Sequence, residues 1–435
     1  METVKFKYLL DDHLPPAETA VYGLQWFLVT VPCIIILGAI AGGIADGDSA
    51  AGQLRYLQKL FFLTGLIMLV QVLRGHRLPL IVGPAAVLLS GIVATQSTTG
   101  GAAYFSMALC GLVLAGLSWF KLLHRLSRLF TVRIVGIVLL LIAFTLLPTI
   151  LNLITAGSDN PFTQLAFAMI MILLLLLGQR LLPDILKSTL VAWALLVGSL
   201  AYYTLVAGAW PQTAPTPAAA GGWQLAVAGF QFDSVVFISF LFCFLALTAN
   251  DLGSIQSIAG LLGVTDAAKR SNDGLFVTGL GNALAGLLGV IGPVNYSLSS
   301  GIMLATGCAS RFPLAVAAGA LIIVAFIPAI ISVFSYVPPV VIGSLLCFIM
   351  CSQVAAGMLV LGKDLETSGF ETGMIVGLSL MLGTLAAFLP AQVTTAIPAV
   401  VRPLVTNGFV VGITAALLLE HVIYAQTGSK AKQRR

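Results

Sequence analysis

Apolar segments long enough to cross a bilayer follow one another along almost the whole of this chain, and no other feature restricts its fold as much. A spanning helix needs about 20 mostly apolar residues. Such segments are expected near 22–44, 52–73, 78–97, 102–123, 131–156, 162–181, 185–209, 232–262, 272–291, 298–309, 312–335, 338–361, 371–389 and 398–424. The third and tenth are too short or too interrupted for simple spans. Only 9% of the 435 residues are charged and the mean hydropathy is +1.05, whereas soluble domains carry roughly 25% charged residues. The expected class is an all-α polytopic membrane protein of 14 transmembrane segments.

Charge placement tests that count. Fourteen segments put both termini on one side. If that side is the cytoplasm, all 21 lysines and arginines except Arg55, Lys59 and Arg402 fall inside, as the positive-inside rule requires. The net charge of +5 is thus a topology signal and gives no reason to expect nucleic acid. The basic tail at 425–435 suits anionic lipid headgroups. No cleavable signal peptide is expected in residues 1–21, a cytoplasmic N-terminal segment. Segments 1–7 (22–209) and 8–14 (232–424) flank an external Pro- and Gly-containing linker at 210–231. An odd number of crossings per half makes the second half enter in the opposite sense, the arithmetic of a 7+7 inverted repeat.

The two interrupted segments occupy equivalent places in the halves. One opens Pro79-Leu-Ile-Val-Gly83-Pro84 and the other Pro293-Val-Asn295-Tyr-Ser297-Leu298. Leu80–Val82 and Val294–Tyr296 read as short strands, and Pro84 suits the first turn of a helix. Each is expected to be a short strand feeding a half-helix. Two helix N-termini meeting near the midplane, with orphan N–H groups and partial positive charge, would make a polar site.

Segment 8 carries a lone carboxylate, Asp251, within Thr248-Ala-Asn250-Asp-Leu-Gly253-Ser254. An ionisable group in hydrocarbon costs at least ~2.5–3.5 kcal/mol and is a functional candidate by default. Asn250, Ser254 and Ser257 share one helical face, and Thr248 and Asp251 a neighbouring one. Asp251 can bind a coupling proton or cation, or it can accept hydrogen bonds from hydroxyls across helices. The six cysteines read as small packing residues, with no metal site. The four histidines lie at segment ends, where a solvated or interfacial role is the default. No second embedded carboxylate or nucleophile–base pair supports an enzyme.

At these residues the chain resembles the nucleobase–cation symporter-2 family, also called nucleobase–ascorbate transporters, whose members move uracil, xanthine or urate. Asp11-Asp-His-Leu-Pro-Pro followed by Tyr22-Gly-Leu-Gln25-Trp26 is similar to the family's opening, which ends Tyr-Gly-Leu-Gln-His. Pro79 and Gly83 match its third span. Ser299-Ser300-Gly301, with Thr306 five residues after the glycine, resembles its signature, in which Asn-x-Gly-x-x-x-x-Thr follows Gln, Glu or Pro. The resemblance implies segments 1–4 (22–123) and 8–11 (232–335) as a core, moving against a gate of 5–7 (131–209) and 12–14 (338–424).

The departures concern the side chains that read the base. Trp26 stands where the family has histidine. Asn250 stands at its substrate-binding glutamate, the carboxylate having moved to Asp251. Leu298 and Ser299 replace the polar opening of the signature, and Ala86 an aromatic that stacks on the base. The resemblance therefore implies substrate contacts from Gln25, Trp26, Ala86, Asn250, Asp251, Leu298, Ser299, Ser300 and Gly301. As an embedded carboxylate, Asp251 is the expected coupling site, and Pro79, Gly83, Gly253, Pro293, Asn295 and Thr306 are the expected frame.

The expected function is a secondary transporter of a nucleobase-like heterocycle, coupled to protons or sodium, with no cofactor. A sulfate-permease-like anion carrier and a non-transporting sensor of the same fold are the alternatives. Expected partners are the small-molecule substrate, membrane lipid and a second copy joined through the gate. The expected location is a plasma membrane, bacterial inner membrane first.

Overall fold

The computed structural model describes residues 6–46, 50–95, 100–122, 131–155, 160–183, 186–187, 189–207, 231–296, 299–368, 370–398 and 401–424. The first half contains α1 (Pro16–Asp46), α2 (Ala50–Leu73), β1 (Val82–Pro84), α3 (Ala86–Ala94), α4 (Gly100–Trp119), α5 (Val132–Thr145), α6 (Leu147–Thr155), α7 (Pro161–Leu181) and α8 (Leu190–Tyr202). The second contains α9 (Ser234–Leu261), α10 (Ala267–Leu288), β2 (Pro293–Asn295), α11 (Ser299–Thr306), α12 (Phe312–Ala325), α13 (Pro328–Val333), α14 (Pro339–Ser368), α15 (Phe370–Ala387), α16 (Ala391–Ala396), α17 (Arg402–Val405) and α18 (Gly408–Leu418). Nine helices among the described residues are long and apolar enough to cross a membrane, and two shorter apolar ones accompany them.

Packing follows an exchange of halves. α4 lies on α10, and their counterparts α12 and α2 lie on each other. α9 packs on α4 as α1 packs on α12. A second group joins α5 and α6 to α14, and α15 to α18. This is the layout of a 7+7 inverted repeat.

Three expected segments are broken. The fifth divides at Leu146, just before Pro148. The eleventh divides before Pro328, whose ring blocks continuation of α12. The fourteenth divides at Asn407, whose side chain accepts from Val410 N–H and starts α18 afresh.

The two short strands pair antiparallel, Val82 with Asn295, Gly83 with Val294 and Pro84 with Pro293. The strands are displaced from the sequence expectation, and Pro84 belongs to β1 rather than to the helix, which starts at Ala86. The pairing explains the shift. Pro84 and Pro293 face each other where neither needs to donate, since proline has no N–H. Beyond them Ala85 N–H donates to Gly292 O at 2.9 Å, and Tyr296 N–H donates to Ile81 O at 2.8 Å. Gly83 is required here because a Cβ would collide with the Tyr296 ring.

Each half holds the loop that leads into the other's strand. Near the start of α2, the Tyr56 hydroxyl accepts Ile291 N–H at 2.8 Å and Lys59 Nζ donates to Leu288 O at 3.0 Å. Near the start of α10, Arg270 Nη1 donates to His76 O and Arg77 O at 3.2 and 3.0 Å. At that second end, Arg311 donates to Val72 O and pairs with Asp11, and Tyr8 bridges to Cys308. Basic residues assigned to one side by sequence thus gather at one end of the molecule.

The α4–α10 crossing is built from small residues. A methyl group on Gly111 or Gly279 would strike the backbone of the facing helix, so these glycines allow the close approach that drives association in lipid. Gly279→Leu is expected to force the helices apart and cost about 1–3 kcal/mol or more, read as a lower melting temperature of the detergent-purified protein. An unchanged melting temperature would contradict the crossing.

Candidate functional site

A cavity of about 240 Å³ lies among α1, the start of α3, α9, the end of β2 and α14. It is smaller than the ~300–1,000 Å³ typical of drug-sized sites, which suits one small ring system. Cys33, Ile36 and Leu37 of α1 form an apolar wall. Ala86, the first residue of α3, opens onto it, and α3 has no side-chain N-cap. Its first N–H groups therefore carry partial positive charge toward the cavity. Asn250 of α9 and Tyr296, just past β2, complete this side. The opposite wall is α14, through Met350, Ser352 and Gln353.

The polar groups of the cavity divide into engaged and free. Tyr296 donates its hydroxyl proton to Pro84 O at 2.6 Å, and Ser352 donates to Ile349 O at 2.6 Å. The Asn250 and Gln353 amides have no hydrogen-bond partner among the described residues. No charged side chain lines the cavity among those residues.

Asp251 faces away from it. Along α9 one residue turns the side chain by about 100°, so Asn250 reaches the cavity while Asp251 is fully buried behind it. Oδ1 of Asp251 accepts Asn295 N–H at 2.8 Å and Asn295 Nδ2 at 2.6 Å. Oδ2 accepts the Thr278 hydroxyl at 2.6 Å. Thr278 in turn accepts Gln71 Nε2 at 3.0 Å. The same alternation holds past the strand: Asn295 enters the network and Tyr296 the cavity, as neighbouring residues of extended chain point to opposite faces.

His76 extends the network toward the Arg270 end. Its Nδ1 accepts Leu78 N–H at 2.9 Å, so the ring proton sits on Nε2 and donates to Asn295 Oδ1 at 3.1 Å. Burial pushes the imidazole down to about 3, and the Asn295 bond opposes that shift. His76 has no exposed surface, which corrects the expectation of a solvated histidine. The ring is drawn in because it satisfies two buried groups, Leu78 N–H and Asn295 Oδ1.

The remaining expected residues separate clearly. Ala86 and Asn250 line the cavity; Asp251, Ser299, Gln25 and Trp26 do not. Trp26 packs in the core of the first segment. Ser299 Oγ accepts Ile81 N–H at 2.9 Å and donates to Tyr296 O at 2.8 Å, tying α11 to β1. Ser300 and Gly301 lie in the first turn of α11. Leu298, with Ser297, lies outside the described residues. Gly83, Pro293 and Asn295 belong to the strand pair itself, and Pro79 lies just before β1. Gly253 lies on α9 with open space beside it. The Thr306 hydroxyl donates to Ile302 O at 2.8 Å at the end of α11. Of the polar stripe, Ser254 is buried and Ser257 exposed. Cys351 is exposed, so the packing role expected of all six cysteines fails there. Tyr296, Ser352 and Gln353 were missed. The last two are polar neighbours inside an apolar span, the same kind of signal that singled out Asp251.

The family model described as Permease family (Xan_ur_permease) matches residues 17–392. The chain is 25% identical over 415 residues to the nucleobase transporter PlUacP of Paenibacillus larvae, covering 91% of this chain and 92% of that one. It is 25% identical over 447 residues to the xanthine permease XanP of Escherichia coli strain K12, covering 95% and 93%. Among solved structures it is similar to the transmembrane domain of the cyanobacterial bicarbonate transporter BicA. The TM-score is 0.64 at 15% identity, covering 88% of this chain and all of that one, a likeness of fold.

Asn295→Leu and His76→Leu should each lower the unfolding free energy by about 1–3 kcal/mol, because each leaves a buried polar partner unmet. The double variant should cost less than the sum, since the two share one hydrogen bond. Strictly additive thermal-shift losses would show that the bond contributes nothing.

Proposed function

This chain belongs to the Permease family of the xanthine and uracil permeases, and on that premise we propose that it carries a neutral nucleobase across the membrane by alternating access. The observation that carries this reading is the small, uncharged cavity with a free amide at Asn250. An amide offers one donor and one acceptor side by side, which pairs with the N–H/C=O edge of a pyrimidine or purine. The Ala86 end of α3 would meet a carbonyl oxygen, and the wall of Cys33, Ile36 and Leu37 the apolar ring face. Gln353 approaches from α14, so the base would be held between groups supplied by two bodies. Ser299 would act on the site only indirectly, through Ile81 N–H and Tyr296 O, which its hydroxyl joins.

In this reading residues 22–123 and 232–335 form the moving core, and 131–209 and 338–424 the gate, across fourteen crossings. Asp251 takes up the coupling ion, a proton rather than sodium, since its oxygens already hold three hydrogen-bond donors and leave little room for a metal's coordination shell. No cofactor is needed. Both termini would be cytoplasmic in a bacterial inner membrane, and the exposed apolar faces of the gate would serve a homodimer or lipid equally well. A fixed anion such as sulfate would find no basic side chain among the described lining residues.

Cells lacking their own permeases and expressing this chain should accumulate labelled xanthine or uracil and ignore labelled sulfate. Asn250→Ala should raise the apparent KM roughly tenfold, about the worth of one neutral hydrogen bond pair. Accumulation of sulfate without any base would sink the assignment.

A further inference from the structure

Asp251 meets its partners through two chemically different arms, and the inference below rests on the reading that this carboxylate carries the coupling proton. On the Oδ1 arm both donors are N–H groups of Asn295. An N–H donor cannot turn into an acceptor. Nor can the Asn295 amide flip, because its Oδ1 is held by His76 Nε2–H, and Leu78 N–H fixes that tautomer. Flipping would aim an NH2 group at an N–H. Oδ1 is therefore an acceptor whatever the protonation state.

The Oδ2 arm ends on a hydroxyl, which can both donate and accept. We infer that Thr278 is a positioning residue for the coupling step: the proton binds Oδ2, and the Thr278 hydroxyl then reverses from donor to acceptor. In the charged state Thr278 donates to Oδ2 at 2.6 Å and accepts from Gln71 Nε2 at 3.0 Å. When hydronium gives a proton to Oδ2 and leaves as water, the new carboxyl O–H donates to Thr278 Oγ1. The threonine hydroxyl hydrogen turns away from Oδ2 toward the Gly274 carbonyl one turn earlier, which the side chain reaches by a small adjustment of χ1, a bond that threonine often makes in a helix. Gln71 Nε2 donates to both groups, 2.9 Å to that carbonyl and 3.0 Å to Thr278 Oγ1, so the three belong to one buried cluster. No covalent bond of Thr278 is made or broken, and Gln71 keeps its contacts. A turn of this one side chain accommodates the proton.

The surroundings leave this arm as the responsive one. No charged side chain touches Asp251 among the described residues. From α2 it is reached through Gln71, from α10 through Thr278, and from β2 through Asn295. The titratable groups next in line are His76 behind Asn295 and Tyr296, whose hydroxyl is committed to Pro84 O on the cavity side. Beyond His76, Arg270 is bound to the loop carbonyls of His76 and Arg77. Asn295, whose backbone and side chain are both held by the carboxylate, is the neighbour of Tyr296 in the cavity wall. The state of Oδ2 is therefore one residue away from the substrate.

Purified protein in proteoliposomes separates the possibilities. Two rates are read with labelled xanthine and uracil: net uptake driven by an imposed pH gradient, and exchange of labelled for unlabelled base at equal pH. Exchange needs no change of protonation; net uptake does. Thr278→Val should keep exchange within about twofold and lose at least tenfold in net uptake, and Thr278→Ser should restore net uptake to within about threefold. Thr278→Cys, with a weaker donor of similar size, should fall between, and it serves if the valine variant does not fold. Wild-type net uptake in Thr278→Val or Thr278→Cys would overturn the proposal. So would a serine variant as impaired as the valine one, since that would make the role one of shape. Asp251→Asn tests the underlying reading: if it still accumulates base under the gradient, the coupling assignment falls and this proposal with it. If it loses accumulation while Thr278→Val keeps it, only the present proposal falls.

Discussion

Every backbone N–H and C=O away from water must find a partner, and the pairing of β1 with β2 is how this protein meets that demand where two of its segments stop being helical. Neither strand could exist alone at that depth. Because each partner comes from a different half, the two halves interlock by necessity, and the site they enclose belongs to neither. The neighbouring contacts extend the same solution. Ser299 serves Ile81 N–H, Ala85 reaches Gly292 O, and Tyr56 and Arg270 hold the incoming loops from opposite ends. The ladder is three residues long, enough to end the unpaired backbone without widening the break.

Asp251 is a second anchor for the same strand. Its Oδ1 accepts from both the backbone and the side chain of Asn295, so it fixes β2 to α9. Hydrogen bonds to a charged acceptor are roughly twice as strong as neutral ones, and a buried carboxylate deprived of them is costly. The carboxylate and the strand thus stabilise each other. This settles, in geometric terms, the second of the two roles open to Asp251 from sequence: it does accept hydroxyl and amide donors across helices. The two roles are compatible, because the hydroxyl arm can respond to a proton while the amide arm holds the strand.

Much of the architecture was legible because bilayer physics writes it in long patterns. The run of apolar segments, the basic links and the matching prolines of the two broken segments all survive in the fold. What failed was local and relational. The strand register depends on Pro84 meeting Pro293, a fact about two segments about two hundred residues apart in sequence that neither segment reveals. His76 sits between Arg74 and Arg77 and looks like a surface residue; only the folded loop shows that Leu78 N–H and Asn295 need it. Gln71 and Thr278 carried no signal for the same reason, since a lone polar residue in an apolar helix most often satisfies its own backbone. Ser352 and Gln353 were legible in principle, as adjacent polar residues inside an otherwise apolar span.

Moving the carboxylate by one residue along α9 alters what its charge can do. At the position of Asn250 a carboxylate would face the cavity and bind two donors of a substrate directly. At Asp251 the same charge lies behind the wall, where it cannot touch the ligand and instead holds the strand that carries Tyr296. The polar side chains left on the cavity wall include the neutral amides of Asn250 and Gln353, whose chemistry matches donor and acceptor edges rather than charge. Binding and charge are then separate functions on adjacent residues, connected through the α9 backbone on one side and the Asn295–Tyr296 peptide on the other. The Asn295–Tyr296 peptide is thus the covalent link between the carboxylate's hydrogen bonds and the cavity wall.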